Sequence, residues 1–403
     1  MTNGNSRYVI FIVLFCLFIA PSARADEFRI VPSVAAKDEY NSNIYVTPTD
    51  PRRDFITTLS PGIALVKRNE RLDTGAQVRL DSRYYGENQD LNAIDQTYQG
   101  NLKYRLTPNF GLAADAGYFI DSRADRDLAT TGLILSTLRR ERVKSSLATD
   151  YQFSEVMALT MSYAYGKDTY ERKVSDFQSH DVNIGLVRDF SKYFPAVKGM
   201  INFGYGSYDI GGFRTNSMMT TLGMSRNFNE IWSINVSGGA RYTEAQFPVP
   251  RLQMVAPGVF QVVQDTQADD GWGWVAQGAL NYTGERGNSS LTYTRDVRPA
   301  SGYNATVEMN ALAINLSYRF THEFSFSLYG GYYTNKSGQL ASSANSIDTQ
   351  TLGITPRIRY EFSKDVAVDL SYDYINSENK VTNLQAERHL VSLLLTVQHA
   401  FFE

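Results

Sequence analysis

The chain has 403 residues, a formal charge of −3 and a mean hydropathy of −0.31, yet 13% of it is aromatic, with 26 Tyr and 22 Phe. Its single cysteine is Cys16, so disulfides and thiol chemistry are excluded from everything that follows the first 25 residues. Past residue 25 there is no basic stripe of the kind that binds nucleic acid and no apolar run near the 18 residues of a membrane-crossing helix.

The N-terminus has the form of an export signal. Arg7 supplies a positive start, and Tyr8 to Ala20 is an apolar stretch too short to span a bilayer as a helix. Ala23-Arg24-Ala25 fits the small-x-small cleavage rule, which divides the chain into a cleaved signal, 1–25, and one outer-membrane barrel domain, 26–403. Loss of Arg7 and Arg24 makes the mature chain more acidic. Val13-Leu14-Phe15 is too bulky before Cys16 for lipoprotein cleavage.

From Phe28 onward the chain alternates apolar and polar residues in stretches of about ten, the period and length of a membrane-crossing β-strand. Short polar turns separate alternate stretches: Leu106-Thr107-Pro108-Asn109-Phe110, Phe153-Ser154-Glu155-Val156 and Phe190-Ser191-Lys192-Tyr193. The same phrase returns at Phe228-Asn229-Glu230-Ile231, Phe320-Thr321-His322-Glu323-Phe324 and Phe362-Ser363-Lys364-Asp365-Val366. Isolated strands cannot sit in hydrocarbon with unpaired backbone, whereas a closed barrel pairs every group. The predicted fold is therefore all-β, a transmembrane antiparallel up-and-down barrel of about 18 strands, between roughly 16 and 20.

Strands are predicted to begin near Phe28, Phe55, Leu72, Gln96, Phe110, Val143, Val156, Ser179 and Val197. The remainder begin near Ser217, Ile231, Trp272, Ser290, Thr306, Phe324, Thr349, Val366 and Ala386. Pro61 and Pro356 each remove a ladder donor, so a bulge or local irregularity is expected at both. Trp232, Trp272 and Trp274, with Phe320, Phe362 and Phe401, fall at strand ends, where a girdle at the water–lipid interface is expected.

The long connections are 41–54, 86–95, 121–142, 247–270, 334–348 and 377–385, all predicted on the extracellular side. In 247–270, Pro248, Pro250 and Pro257 argue against sheet, and the apolar run Val255 to Val263 has two readings, an inward constriction or a surface loop. Arg139-Arg140-Glu141-Arg142 is compatible with a turn after one more short strand.

Charge marks the other face of the strands. Asp73, Arg79, Asp81 and Arg83 oppose Ala76, Val78 and Leu80, while Lys103 and Arg105 oppose Leu102, Tyr104 and Leu106. Arg357 and Arg359 oppose Ile358 and Tyr360, and Asp369 and Asp373 oppose Val368, Leu370, Tyr372 and Tyr374. Charged positions in barrels belong to the lumen side, so these ten residues are the candidate pore lining. The same rows are also compatible with charges that pair across a plugged lumen. Tyr85, Phe119, Tyr329 and Tyr333 are candidate lumen aromatics, with flat faces suited to sugar rings.

Little else carries chemistry. The four histidines, His180, His322, His389 and His399, lack metal-ligand spacing. The acidic stretches Asp121 to Asp127 and Asp265 to Asp270 lack the ordered spacing and closing Glu of a calcium loop. No residue is marked as a nucleophile, and no catalytic, metal or cofactor site is predicted.

Val31-Pro32-Ser33-Val34, Asp38-Glu39-Tyr40-Asn41-Ser42-Asn43-Ile44-Tyr45 and Asp54-Phe55-Ile56-Thr57-Thr58-Leu59-Ser60-Pro61-Gly62 resemble the opening of the outer-membrane β-barrel (porin-2-like) family. Tyr151 to Glu155 and Tyr163 to Glu171 are also similar to it. Members often accompany exopolysaccharide gene clusters, including those associated with the PEP-CTERM sorting system. The resemblance implies an outer-membrane barrel serving polysaccharide secretion. One departure is Glu403, which follows the aromatic end, Phe401-Phe402, that the barrel-assembly machinery commonly reads.

Three functions are compatible with these observations: a passive channel, for instance for an exported polysaccharide; a non-conducting barrel of a secretion assembly; or an outer-membrane hydrolase. The expected partners are outer-membrane lipid and lipopolysaccharide, the assembly machinery, and a polysaccharide with its export apparatus.

Overall fold

The computed structural model describes residues 27–134, 137–171, 176–256, 259–300, 305–337 and 346–402. The predicted signal and Glu403 lie outside the described residues. The strands in chain order are β1 (Glu27–Asn41), β2 (Asp54–Arg68), β3 (Leu72–Tyr85), β4 (Ala93–Thr107), β5 (Phe110–Asp121) and β6 (Arg140–Ser154). Then come β7 (Met157–Tyr170), β8 (Phe177–Asp189), β9 (Val197–Ile210), β10 (Phe213–Asn227), β11 (Trp232–Ala256) and β12 (Val259–Thr283). The last are β13 (Gly287–Ala300), β14 (Ala305–Arg319), β15 (Phe324–Ser337), β16 (Asp348–Glu361), β17 (Val366–Asn379) and β18 (Leu384–Gln398). A single helical turn, α1 (Leu128–Thr131), lies between β5 and β6.

Each strand pairs antiparallel with its sequence neighbours, and β1 closes the ring on β18 from Ser33↔Gln398 to Asn41↔Leu390. This is the predicted up-and-down barrel, with 18 strands. At the end holding both chain termini the connections are tight. Local side chains replace the missing ladder there: Asn69 Oδ1 accepts from the backbone N–H of Arg71 and Leu72, and Asn229 Oδ1 from Ile231 and Trp232. Thr321 Oγ1 does the same for Glu323 and Phe324. These are the Asx and hydroxyl turns that Asn, Asp, Ser and Thr favour.

Period-two alternation sorts the side chains. In β18, Val391, Leu393, Leu395 and Val397 are exposed on the outer face, while Ser392 and Arg388 are buried on the inner one. In β17, Leu370 is outside and Asp369 inside. Pro61 and Pro356 each interrupt one ladder. β2–β3 pairing skips from Leu59↔Ser82 to Gly62↔Arg79, and β16–β17 from Ile354↔Tyr374 to Arg357↔Ser371. The register is unchanged across both gaps, so the irregularity is a lost bond pair and not a bulge.

The segment 247–270 differs from its expectation. It is neither an inward constriction nor a surface loop but the upper part of a β-ribbon, with β11 and β12 paired from Trp232↔Tyr282 to Ala256↔Val259. Pairing of β10 with β11 stops at Arg214↔Gln246, so beyond it β11 has a free edge. Pro248 and Pro250 share a parity and lie on that stretch, where a missing N–H breaks no ladder. Pro257 lies outside the described residues. Among the described residues no extra strand precedes Arg140; β6 begins at Arg140 itself.

Candidate functional site

The connection from β5 to β6 folds into the barrel and reaches β15, half the ring away. Its root is built by strand register. β5–β6 pairing sets Asp121 against Arg140, and β6–β7 pairing sets Arg142 against Asp168. Two arginines at i and i+2 on the inner face of β6 thus stand beside two carboxylates. Asp127, which precedes α1, enters between them: its carboxylate accepts from Arg140 Nη1 at 2.6 Å and from Arg142 Nη1 and Nη2 at 2.9 Å. Arg142 also donates to both oxygens of Asp168 at 2.6 and 2.7 Å, and Arg140 to both of Asp121 at 3.1 and 2.7 Å. Burial alone would raise the Asp127 pKa, but Arg142 and Arg140 outweigh it and hold the carboxyl well below its ordinary range.

A second anchor ties the loop to the opposite flank. Arg123 Nη1 donates to Glu39 Oε1 of β1 at 2.7 Å, and Arg388 of β18 donates to Asp125 at 2.6 Å and to Asp373 of β17. Burial opposes the charge on Asp125, and Arg123 with Arg388 overcomes that, keeping it ionised far below the usual carboxylate pKa. Leu128 packs against Val46, Ile375 and Ala386.

The third anchor is on β15. The hydroxyls of Tyr329 and Tyr333 lie 3.0 and 2.7 Å from Ala129 O, and Asn335 Nδ2 donates to Thr131 O at 2.8 Å. Gly132 follows α1 in the left-handed region, at φ 70°, flat against Tyr333. A Cβ there would stand 2.2 Å from the Tyr333 Cβ, so glycine is required for both conformation and contact. Leu133 then packs on Val307 of β14 and on Ile347.

Beside the loop lies a cavity of about 500 Å³ between α1 and the inner wall of β6 to β10, closed on a further side by β13. Gly166, Gly204 and Gly206 form part of its floor. Lys144, Asp181, Tyr208, Asp296 and Arg298 line it. Tyr208 donates to Asp181 at 2.8 Å. A cavity whose lining carries charges of both signs beside apolar groups suits a hydrated solute with a polar head or ring edge.

The ten predicted lining residues all fall on inner-face positions of their strands, in two groups. Arg83 and Asp373 join the loop anchors: Arg83 donates to Asp95 and to Ser122 Oγ at 2.8 Å, while Asp373 holds Arg388. Six others lie away from the loop and pair locally. Arg79 bonds Asp81 at 3.2 Å, Asp73 meets Arg68 at 3.3 Å, Arg105 reaches Asp150 at 3.0 Å, and Arg359 bridges Asp369 and Glu361 at 3.0 and 2.9 Å. Lys103 and Arg357 occupy inner positions of β4 and β16. Of the four candidate lumen aromatics, Tyr329 and Tyr333 are engaged by the loop.

Sequence reasoning missed Arg123, Asp125, Asp127, Arg140, Arg142 and Arg388 as loop anchors. One signal was present: an acidic and basic run, 121–127, followed by Arg140 and Arg142 at strand spacing. The carboxylates weighed for calcium at Asp121, Asp125 and Asp127 are all taken by arginines. Asp265 pairs with Arg251 at 3.3 Å across the β11–β12 ribbon.

The aromatic girdle residues sit on the outer face at both ends. Near the tight turns, Trp232 packs on Tyr282, Phe320 on Tyr318 and Phe362 on Tyr360, and Phe401 meets His399 edge to face. At the other end Trp272 meets Tyr242, and Arg295 lies over Trp274 at 4.3 Å. His180 and His389 are outer-face residues bonded to the hydroxyls of Tyr163 and Tyr372 at 2.8 and 2.7 Å.

No protein-family model matches the chain, and no curated protein matches it in sequence. Among solved structures it is similar to OccAB4 of Acinetobacter baumannii, at 11% identity and a TM-score of 0.47 over 94% of this chain and 99% of that one. It is similar to the outer membrane channel DcaP of the same organism, at 10% identity and a TM-score of 0.47 over 94% and 99%. The outer membrane protein opdK of Pseudomonas aeruginosa is similar at 8% identity and a TM-score of 0.43 over 92% and 99%.

Proposed function

We propose that the chain is a solute channel in the outer membrane of a Gram-negative bacterium, reached by way of a cleaved signal, 1–25. The observation that carries this is the loop segment 122–134: it crosses the lumen on three charged or hydrogen-bonded anchors and leaves a cavity with charged lining along β6 to β10. A barrel serving only as a scaffold needs no such built constriction. The apolar outer face with aromatic ends suits lipid, and the tight turns would then face the periplasm. Reconstitution in planar bilayers tests the reading. Discrete conductance steps are expected, enlarged when residues 124–134 are replaced by a short Gly-Ser linker, and a barrel that stays silent in both forms would refute it.

For cargo we propose an exported polysaccharide, and for partners the outer-membrane assembly machinery and a polysaccharide export apparatus. The support is the resemblance of the β1–β2 segment to barrels found with exopolysaccharide gene clusters. A polymer using the cavity along β6 to β10 would have to displace α1, since about 500 Å³ holds a small solute and not a chain in transit. Deleting the gene in its native host should abolish secreted polysaccharide while leaving small-solute uptake intact; the reverse result would assign uptake instead.

A further inference from the structure

Among the described residues, the ring of paired strands splits at its loop end between β12 and β13. Pairing of β12 with β13 runs from Thr283↔Asn288 only as far as Ala276↔Arg295. On either side the ladders continue: β11–β12 to Ala256↔Val259 and β13–β14 to Ala300↔Ala305. From Val275 and Asp296 upward the two strands therefore have no ladder pairing among the described residues. The Val297 N–H turns instead to the Asp296 carboxylate at 2.8 Å, as an edge strand caps its own donor. Trp274 marks this as the level of the aromatic girdle, where the wall meets the outer leaflet.

The split is bridged by side chains rather than backbone. Arg241 is an inner-face residue of β11, opposite Gly273. A Cβ on Gly273 would lie 2.7 Å from Arg241 Nη2, so this glycine gives the guanidinium its path. Arg241 ends on Glu308 Oε1 at 3.1 Å, although Glu308 has the outer-face parity of Leu312 and Ile314 in β14. The ion pair thus joins the inner face of one strand to the outer face of another through the wall. Glu308 also accepts from Arg295 at 3.1 Å, and Arg295 covers Trp274. The latch is incomplete, because Arg241 Nε is buried without an acceptor.

Behind the split the usual sorting is reversed. Val275, Val307 and Met309 face inward and are buried. Val297, Asp296 and Arg298 belong at once to the split edge of β13 and to the lining of the 500 Å³ cavity. An apolar lip at the wall thus leads to a charged interior.

We propose that β12 and β13 part to form a lateral gate, through which an amphiphile exchanges between the lumen and the outer leaflet. Its alkyl chain would lie along Val275, Val297 and Val307 and its polar head against Asp296 and Arg298. This goes beyond the channel reading and rests on it only for the placement in a bilayer.

The mature chain lacks cysteine, so a single probe can be placed. Arg298→Cys would be reconstituted in liposomes and treated with a maleimide on a lipid acyl chain, confined to the bilayer, or with a water-soluble maleimide. Asn183→Cys, in the same cavity but on β8, serves as the reference. The acyl-chain reagent is expected to label Arg298→Cys, several-fold faster when Glu308→Gln opens the latch, and to leave Asn183→Cys unlabelled. Arg295→Gln, which frees the same bridge from the outer face, should give the same acceleration if Glu308→Gln does not fold. Labelling of Arg298→Cys by the soluble reagent alone, at a rate neither substitution changes, would mean the wall is sealed and would overturn the gate. Ion conductance along β6 to β10 would persist in that case.

Discussion

Arg142 and Asp168 face each other across the β6–β7 ladder and are joined at two points, 2.6 and 2.7 Å, with Asp168 almost fully buried. This pair is fixed by strand register. Asp127, the loop residue added to it, is not. The wall therefore presents two arginines already paired with carboxylates and with donors to spare, and the loop supplies a third carboxylate that both of them bind.

Asp127→Asn should accordingly loosen the loop without unfolding the barrel. Removing one partner of a well-buried ion pair costs about 3–5 kcal/mol, and here Asp121 and Asp168 remain to share Arg140 and Arg142, so the effect should fall below that range. Single-channel recording should show larger or flickering conductance, while heat-modifiable migration of the folded barrel is retained. An unchanged trace would mean that the anchors on β1, β18 and β15 hold α1 without Asp127.

The clamp should be insensitive to pH over the neutral and mildly acidic range. The carboxyls of Asp125 and Asp127 are depressed below the ordinary value of 3.8 when the loop is docked. The stabilisation from a depressed carboxyl is fully present above the undocked pKa and is lost as pH falls through the docked one. Conductance from pH 8 down to about 5 should therefore be flat, with loop release only below about 3.8. A transition near pH 6 would point to some other titrating group.

Gly132→Val tests the anchor on β15. The substitution demands a β-branched residue at φ 70° and sets a Cβ 2.2 Å from that of Tyr333. The left-handed conformation alone costs about 1–2 kcal/mol for a residue with a Cβ, and the contact cannot be relieved by rotation because both atoms are fixed to backbone. Tyr329 and Tyr333 should lose Ala129 as acceptor, and conductance should rise. Hydrogen exchange should increase in residues 128–134 and not in β15.

Most of the barrel is legible in the sequence because its signals are local. A turn residue such as Asn229 or Thr321 and a run such as Val366 to Tyr374 each carry their own geometry, and the 18 predicted starts correspond one for one to strands. The β11–β12 ribbon was hidden because Pro248 and Pro250 look like strand breakers unless it is known that β10 has already ended. The loop was hidden for a different reason. Its partners, Glu39, Tyr333 and Arg388, lie 84 to 263 residues from it, and nothing in 121–139 says which wall it will meet.

Ion preference should follow the cavity more than the rows predicted from alternation. Arg79, Arg105 and Arg359 are neutralised by local carboxylates, and Arg83 by Asp95. Lys144 lines the passage and has no ion pair among the described residues. Lys144→Glu should move the reversal potential toward cations by more than Arg79→Gln does, because a fixed charge biases occupancy within a Debye length of about 8–10 Å. Equal shifts for the two would move the selective region toward the turns.

Leu370→Arg tests the placement of the outer face in lipid. Leu370 is 48% exposed, midway along β17, between the inner positions Asp369 and Ser371. Arginine near the midplane of a barrel's lipid face costs about 2–4 kcal/mol. The neighbouring Ser371 faces inward, with its hydroxyl 2.8 Å from that of Ser392, so Ser371→Gln forfeits one hydrogen bond and meets no hydrocarbon. Folding yield into lipid vesicles should fall sharply for Leu370→Arg and stay near the parent for Ser371→Gln. In detergent micelles, which deform around a charge, the gap should narrow. Equal yields in vesicles would place residue 370 away from lipid, and with it the whole row of Val368, Leu370 and Tyr372.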